Sequence, residues 1–518
     1  MFVIATRIVV VLTILPLLAA VGGSFTADGA TGYGWWWGTS RGWSLLGRTL
    51  ALALSAAAIG TVVGWIIARA AASGTRPVAI VLLTVACIPL ILPSSLLGVA
   101  WIMALGRDGW ITDSLRRAAG DWPWTVYQLP VAAALIGLRY AGLAALILAP
   151  ECRRQRALGP VERAFRIPPA RRLLHLRLRP AISPIVASLV LLSILCANDH
   201  ILPSMFLIST YGVQVLIQYN ALLDPAGAAA LAMPMVALGL LVIAHLGVRS
   251  ASPETTEQRG ELSALAQPST GPPFAAMAIV LASVGVPFAA LSVRAGSWSA
   301  IVDGWSASAD ERWRTLGLAL ASGAVCAMLA IAPAAHWVAC RRSGRPSLAP
   351  MALLVVFVPP SLLALGVIAL FERPLLRSFR DGDAPLLVAY ACRFLPVAII
   401  ALVAGWRRIS PSVLEAARVH GVSGWRTVVW LIVPLHGRAV VSAAALCALL
   451  VATELELSLM LAPPGATTLG VRLYSMMHTA PDALVSAAAL SVAGIALLPA
   501  VLVAVILSRT WSARPWIN

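Results

Sequence analysis

Six ionisable residues of this sequence lie within or beside long apolar stretches, where a charge is poorly solvated: Arg139, Asp199, His200, Arg393, Glu454 and Glu456. An ion at the centre of a membrane helix costs roughly 2.5–3.5 kcal/mol, so we expect these side chains to point away from lipid. Two uses fit this pattern. Asp199, His200, Glu454 and Glu456 line a path for a solute, or they pair with the two arginines and fix the packing of helices.

The residue types that familiar enzyme sites need are missing or scattered. All 38 basic residues are arginine, so a G-x-x-x-x-G-K-[ST] phosphate loop cannot exist, and any ATP must be hydrolysed by another polypeptide. No Cys and His set has zinc-site spacing, and no Ser–His–Asp arrangement stands out. We therefore expect this chain to be no enzyme and to hold no cofactor or structural metal.

The composition is that of a membrane protein. Of 518 residues, 60% are hydrophobic and 11% are charged, whereas soluble domains carry about a quarter charged residues. Twelve apolar segments are each long enough to cross a hydrocarbon core of ~30 Å as a helix. Their approximate bounds are 2–22, 46–70, 78–105, 126–150, 182–208, 227–248, 274–294, 314–339, 348–371, 385–406, 437–461 and 484–508. The first is interpreted as a span and not as a cleaved signal, since no convincing small-x-small site precedes Gly22.

The sequence repeats itself across its two halves. Arg48-Thr49-Leu50 recurs as Arg314-Thr315-Leu316, and Pro93-Ser94-Ser95 corresponds to Pro359-Pro360-Ser361. Both matches lie at an offset of 266 residues. Arg139-Tyr140 recurs as Arg393-Phe394 at an offset of 254. A single gap in a constant offset indicates a duplication. We therefore predict a first half at 1–248, a polar linker at 249–273 and a second half at 274–518.

The arginines predict the orientation of the chain. With the N-terminus in the cytoplasm, the inner loops and the C-terminal tail hold 23 arginines and the outer loops hold ten. This bias follows the positive-inside rule and favours cytoplasmic N- and C-termini. It also explains the net charge of +17 without any binding to nucleic acid.

The inner loop between the tenth and eleventh segments has a distinctive pattern. It starts at Ser410-Pro411, continues through Glu415-Ala416-Ala417 and reaches Gly421. Ser410 or Ser412 can cap a helix, Ser412 with Glu415 fits a capping box, and Gly421 can end the helix in a left-handed conformation. Ser423 can cap a second helix that leads towards the membrane. The loop is thus predicted to form a short helix, a sharp bend and a second helix.

This loop resembles a family motif. Glu415-Ala416-Ala417, then Gly421, then Leu431 and Val433-Pro434 are similar to the EAA loop of permeases in binding-protein-dependent ABC importers. The resemblance implies the type I importer fold: an all-α polytopic membrane protein with about twelve transmembrane helices in two homologous six-helix halves. It implies that Glu415, Ala416, Ala417 and Gly421 dock on a cytoplasmic ATP-binding subunit, two copies of which serve the two halves. A periplasmic or lipid-anchored solute-binding protein would be the outer partner, and the location would be the bacterial inner membrane.

Two further stretches extend the resemblance. Glu162-Arg163-Ala164, followed by Pro168 and Pro180, is similar to a degraded first copy of the loop, which places a second docking element near 158–172. Asn198-Asp199-His200 and the segment from Glu454 to Gly465 resemble fused ferric-iron permeases. The resemblance implies ferric iron as the leading solute, with thiamine or a small anion as alternatives.

Two other classes of protein were weighed. A secondary transporter of the major facilitator type also has two six-helix halves, but its basic motif would lie between the second and third segments. That loop is short here and holds only Arg76. A membrane-embedded transferase would need acidic or His clusters on loops at the membrane surface, and none is apparent. An ATP-independent secondary transporter is retained as the alternative.

Overall fold

In the computed structural model, the described part of the chain consists of helices and their connections, with no strand. The backbone is described for residues 2–26, 29–120, 123–164, 176–249, 274–343, 345, 347–407, 409–422 and 424–512. Side chains are described for the same residues except 2, 29–31, 36–37, 76, 159–164, 241–249, 411, 418 and 498–512. The predicted linker at 251–273 lies outside these ranges.

The helices of the first half are α1 (Phe2–Ser24), α2 (Gly29–Gly38), α3 (Ser40–Ser73), α4 (Arg76–Ala86), α5 (Ile88–Ile91), α6 (Ser94–Leu105), α7 (Trp110–Ala119), α8 (Leu129–Ala164), α9 (Arg179–Asn198), α10 (Ile201–Met205), α11 (Tyr211–Asn220) and α12 (Pro225–Arg249).

The helices of the second half are α13 (Phe274–Ala295), α14 (Trp298–Ser306), α15 (Ala309–Arg342), α16 (Pro360–Phe371), α17 (Ala384–Trp406), α18 (Pro411–Val419), α19 (Trp425–Leu435), α20 (Gly437–Ala452), α21 (Glu456–Leu461), α22 (Leu469–Thr479) and α23 (Asp482–Ser512). Two 3₁₀ helices, Ala349–Phe357 and Arg377–Phe379, lie on either side of α16.

Seven of the described helices are long and apolar enough to cross a membrane, or up to ten if each of three bent pairs is counted as one span. Helices suit the bilayer because they satisfy every backbone hydrogen bond within one segment. The described apolar parts of α12 and α23, Pro225–Leu240 and Asp482–Leu497, are shorter. A polytopic all-α fold follows, while the expected total of twelve spans stays a prediction.

Prolines bend the third and ninth apolar segments sharply. The chain turns by 95° between Pro77–Ile91 and Ser94–Ala119, and by 110° between Ala349–Phe357 and Pro360–Phe371. Pro93 and Pro359 stand at these breaks with extended ψ angles of 142° and 134°. Proline lacks an amide hydrogen and disfavours helix at the residue before it, so a straight span is not formed at either point.

A matched pair of buried hydrogen bonds supports the duplication. The Thr49 hydroxyl accepts a hydrogen bond from the amide of Tyr211 at 2.8 Å, and the Thr315 hydroxyl accepts one from the amide of Leu469 at 2.8 Å. The first bond joins the long helix α3 to the start of the short helix α11, and the second joins the long helix α15 to the start of α22. The same sequence offset of 266 relates the two threonines.

The first helix of each half packs on the other half. Helix α1 contacts α16, α15 and the 3₁₀ helix Ala349–Phe357, whereas α13 contacts α6. Gly366 permits the closest approach, because a Cβ atom there would lie 1.8 Å from the carbonyl oxygen of Pro16. The two sequence halves are therefore interlocked, and the proposed division at 248 and 274 stays a prediction about the sequence repeat.

Candidate functional site

Two breaks in apolar helices bring the acidic residues to the centre of the fold. Helix α9 stops at Asn198 and α10 begins at Ile201, whereas α20 stops at Ala452 and α21 begins at Glu456. The Asp199 carboxylate accepts a hydrogen bond from the amide of Leu202 at 3.3 Å. The Glu454 carboxylate accepts one from the amide of Leu457 at 3.1 Å. Both carboxylates thus stabilise free backbone amides where the helices restart, a role that the sequence pattern did not suggest.

The two arginines serve the bends of the third and ninth segments. Arg139 donates to the carbonyl oxygen of Leu92 at 3.5 Å, and Arg393 donates to those of Val355 and Val358 at 3.0 and 2.8 Å. Leu92 and Val358 lie where the helical segments stop, so their carbonyls lack the usual helical partner. The guanidinium groups supply the missing donors at matched positions of the two repeats.

Arg139 also forms the ion pair that the packing interpretation anticipated. Its guanidinium lies 3.5 Å from the carboxylate of Asp199 and hydrogen-bonds the hydroxyl of Ser94. Tyr140 donates to the same carboxylate at 3.3 Å. Asp199 is therefore held by neighbouring helices of its own half, as expected for a packing role.

His200 and Glu456 form a contact between the two halves. The Nδ1 atom of His200 lies 3.3 Å from the Oε1 atom of Glu456, and their side chains are 2% and 12% exposed. The sequence offset aligns His200 with Glu454, but the structure brings it to Glu456 instead. Nearby, the side-chain amide of Asn198 donates to the carbonyl of Phe357 at 3.3 Å, which is a second contact across the halves.

The same pair leaves two buried polar atoms without a hydrogen-bond partner among the described residues. These are the Nε2 atom of His200 and the Oε2 atom of Glu456. Within the described ranges, no group of three His, Cys, Asp or Glu residues could hold a metal ion. The cluster therefore offers one imidazole nitrogen and one carboxylate oxygen that are free to bind another group.

The loop around Gly421 has the bent-helix geometry that its sequence predicted. Helix α18 begins at Pro411, and the Ser410 hydroxyl accepts a hydrogen bond from the Ser412 amide at 3.3 Å. Ser410 rather than Ser412 is therefore the cap, because proline occupies the first helical position. At the other end, the amide of Val422 donates to the carbonyl of Ala417 at 2.9 Å, and Gly421 has a φ of +70°. These features define a Schellman ending.

The second helix of the loop starts one residue later than expected. Ser423 lies outside the described residues, and the residue before α19 is Gly424, with a φ of +61°. Two left-handed glycines within four residues make a tight double bend between α18 and α19. Part of α19, Val428–Ile432, is wound as a π-helix, and α19 meets α20 at an angle of 80°.

One face of this loop is open. Glu415 and Ala416 are exposed, whereas Ala417 is buried against the bundle. Val419 and Trp430 are 84% and 78% exposed. Small and apolar side chains that remain exposed on a rigid bent helix suit docking on another protein surface.

The first-half counterpart differs from the expectation of a separate loop helix. Residues 158–164 continue α8 without a break, whereas α17 ends at Trp406, before α18. A bidentate ion pair between Arg154 and Glu151, with distances of 2.7 and 2.8 Å, stabilises this extension of α8. The side chains of Glu162 and Ala164, and all of residues 165–175, lie outside the described part of the chain.

Comparisons with known proteins bear on the second half. No curated protein and no solved structure matches the chain. Residues 326–512 match the model of one family, described as "Binding-protein-dependent transport system inner membrane component". The matched region contains α18, Gly421, Glu454 and Glu456. Together with the apolar helices, this match indicates a multi-pass membrane protein whose region 326–512 is similar to the inner membrane components of binding-protein-dependent transport systems.

Proposed function

We propose that this chain moves a small solute from a periplasmic or lipid-anchored binding protein to the cytoplasm, driven by ATP that separate subunits hydrolyse. The observation that supports this most directly is the Schellman-ended helix α18 within the matched region. Such a rigid bent element can transmit the closure of a motor subunit to the helices that follow it. The chain would lie in the bacterial inner membrane with both termini in the cytoplasm.

Docking of the ATP-binding subunits is proposed at the two inner loops. Glu415, Ala416, Ala417 and Gly421 form the second-half contact, and the segment near 158–172, with Glu162 and Ala164, forms the first. The exposed face of α18 and the position of α19, which leads directly into α20, support this proposal for the second half. A push on α18 would reach the break before α21 through α19 and α20, which meet at an angle of 80°.

The central cluster of Asp199, His200, Glu454 and Glu456 is proposed to line the path of the solute. Both arginines are engaged by backbone carbonyls and Asp199 by Arg139, so the Oε2 atom of Glu456, which has no hydrogen-bond partner among the described residues, is the carboxylate oxygen left to meet a solute. A cationic solute suits such a site better than an anionic one. Ferric iron is the favoured solute; thiamine, also a cation, and a small anion are the alternatives.

The test is uptake by reconstituted vesicles. The full chain would be combined with the ATPase and the solute-binding protein encoded beside it, and labelled solute would be followed. We expect uptake only when ATP and both partners are present. Uptake that needs an ion gradient but neither partner would favour the secondary transporter. Competition among ferric iron, thiamine and small anions for the binding protein would identify the solute.

A further inference from the structure

A cavity of about 750 Å³ lies beside the inner ends of α3, α8 and α9. A second cavity, of about 720 Å³, lies between α15 and the α18–α19 loop. The two are related by the repeat, since Ala70 and Leu178 of the first correspond to His336 and Ile432 of the second at offsets of 266 and 254. The two cavities therefore occupy corresponding places in the two halves and have similar volumes. Differences between their lining residues indicate which kind of ligand each cavity could bind.

The linings differ in charge. Arg69, Arg156 and Arg177 line the first cavity, and none of its described lining residues is acidic. The second is lined by Arg342 and Glu415, and Arg342 already donates to the carbonyl of Ile409 at 2.6 Å. The described lining of the first cavity is thus positive, whereas Arg342 and Glu415 of the second cavity offset each other.

The arginines of the first cavity can accept an additional anion. Arg156 and Arg177 each have an interaction within the chain. A guanidinium carries five N–H donors, so one contact leaves several donors for a phosphate, whose geometry matches the planar fork. Arg69 is exposed at the cavity from the opposite side, on α3.

Much of the remaining described wall is apolar, and Thr61, Ser73 and Gln155 also line it. Val62, Ile66 and Leu178 line the cavity and are exposed at the surface. Trp65 and Ile185 also line it. Along α3 the lining extends from Thr61 to Ser73, a rise of about 18 Å at 1.5 Å per residue. Arg69 lies eight residues from Thr61, a rise of about 12 Å, so an arginine cluster at one end and an apolar cleft of that length match the head group and part of an acyl chain of a phospholipid.

We propose that this cavity binds an anionic phospholipid of the inner leaflet, with its phosphate at Arg69, Arg156 and Arg177 and one acyl chain along Val62 and Ile66. Basic pockets between transmembrane helices on the cytoplasmic side are suited to such head groups. The choice of leaflet rests on the proposed orientation of the chain. Since Arg156 and Arg177 flank the proposed first docking element, a lipid held there would steady the ends of that element.

Lipid binding can be measured on the full chain without its partners. The purified protein in detergent would be titrated with phosphatidylglycerol or phosphatidylcholine, and retained lipid would be counted by native mass spectrometry. We expect selective retention of phosphatidylglycerol. The double variant Arg69→Gln/Arg177→Gln should weaken it about 25-fold, at about fivefold for each arginine. The matched variant Arg342→Gln, in the second cavity, should leave it unchanged.

Two further arms keep the result decisive. Arg177→Lys retains the charge and should fall between the native chain and Arg177→Gln, which guards against a variant that merely folds poorly. Inorganic phosphate should not displace the lipid at millimolar concentration; complete displacement would show a site for a free anion and overturn the proposal. Equal retention of both lipids, or an equal loss in Arg342→Gln, would overturn it too. None of these outcomes depends on ATP-driven uptake, so failure here is distinguishable from failure of the transport function.

Discussion

Substituting Gly421 tests the docking role of the bent loop most directly. Its φ of +70° lies in the left-handed region, and a Cβ atom built there would meet no atom within 4 Å. A side chain at this position therefore causes no clash, and its whole effect comes from the backbone. The bend is held by hydrogen bonds from Val422 to Ala417 at 2.9 Å and from His420 to Ala416 at 3.0 Å.

The size of the effect follows from this geometry. An L-residue in the left-handed region costs about 1–2 kcal/mol, which changes the population of the bent loop by about 5–30-fold. If only the bent form docks, the apparent Kd for the ATPase subunit rises by up to the same factor. Gly421→Asn should be milder than Gly421→Ala, because asparagine tolerates this region, and Gly421→Val should be the most severe.

The assay is the affinity of the ATPase subunit for the chain in nanodiscs, with thermal unfolding of the chain as a check on folding. Gly437→Ala is the matched control, since Gly437 also lies in open space near the inner face but has no left-handed φ. We expect the order native, Asn, Ala, Val in rising Kd and no change for the control. A Kd within twofold of native for both Ala and Val would refute the role assigned to the bend.

Three further predictions concern the membrane bundle, each followed by thermal unfolding in detergent. Gly366→Ala should destabilise the chain by about 1–3 kcal/mol because its Cβ would overlap the carbonyl of α1, whereas Gly317→Ala, with no atom within 4 Å, should not. Arg393→Gln should cost about 1–3 kcal/mol by leaving carbonyls at the helix break without a guanidinium, and the exposed Arg373→Gln should have little effect. Thr315→Val should cost about 1 kcal/mol through the lost amide bond, and Thr315→Ser should retain most of the stability; equal losses for Val and Ser would contradict this.

Several elements could be predicted from the sequence because they depend on local chemistry. Apolar runs such as 274–294 and 385–406 gave helices with nearly the expected bounds, since burial in lipid needs only composition and length. The bent loop was predicted at Gly421 because proline, a serine cap and glycine act within a few residues. The matched threonines were implied by the constant offset of the repeat.

Other elements were decided by contacts between distant parts of the chain. The prolines at the 95° and 110° turns are visible in the sequence, but the continuous apolar runs around them hide how sharply the chain turns. The extension of α8 to Ala164 was missed because α8 also contacts a later segment: Arg154 and Gln155 donate hydrogen bonds to the carbonyl oxygens of Leu176 and Arg177 at 3.2 and 3.1 Å.

The ionic residues show the same division. Sequence placed Asp199, His200, Glu454 and Glu456 in apolar surroundings, and the unfavourable energy of a buried charge required that they have polar partners. It could not assign those partners. The interlocked packing of α1 on α16 and of α13 on α6 joins the halves, so that His200 meets Glu456, whereas packing within each half brings each arginine to the carbonyls at a broken helix. Such pairings depend on angles and distances between helices, which residue spacing along one chain does not specify.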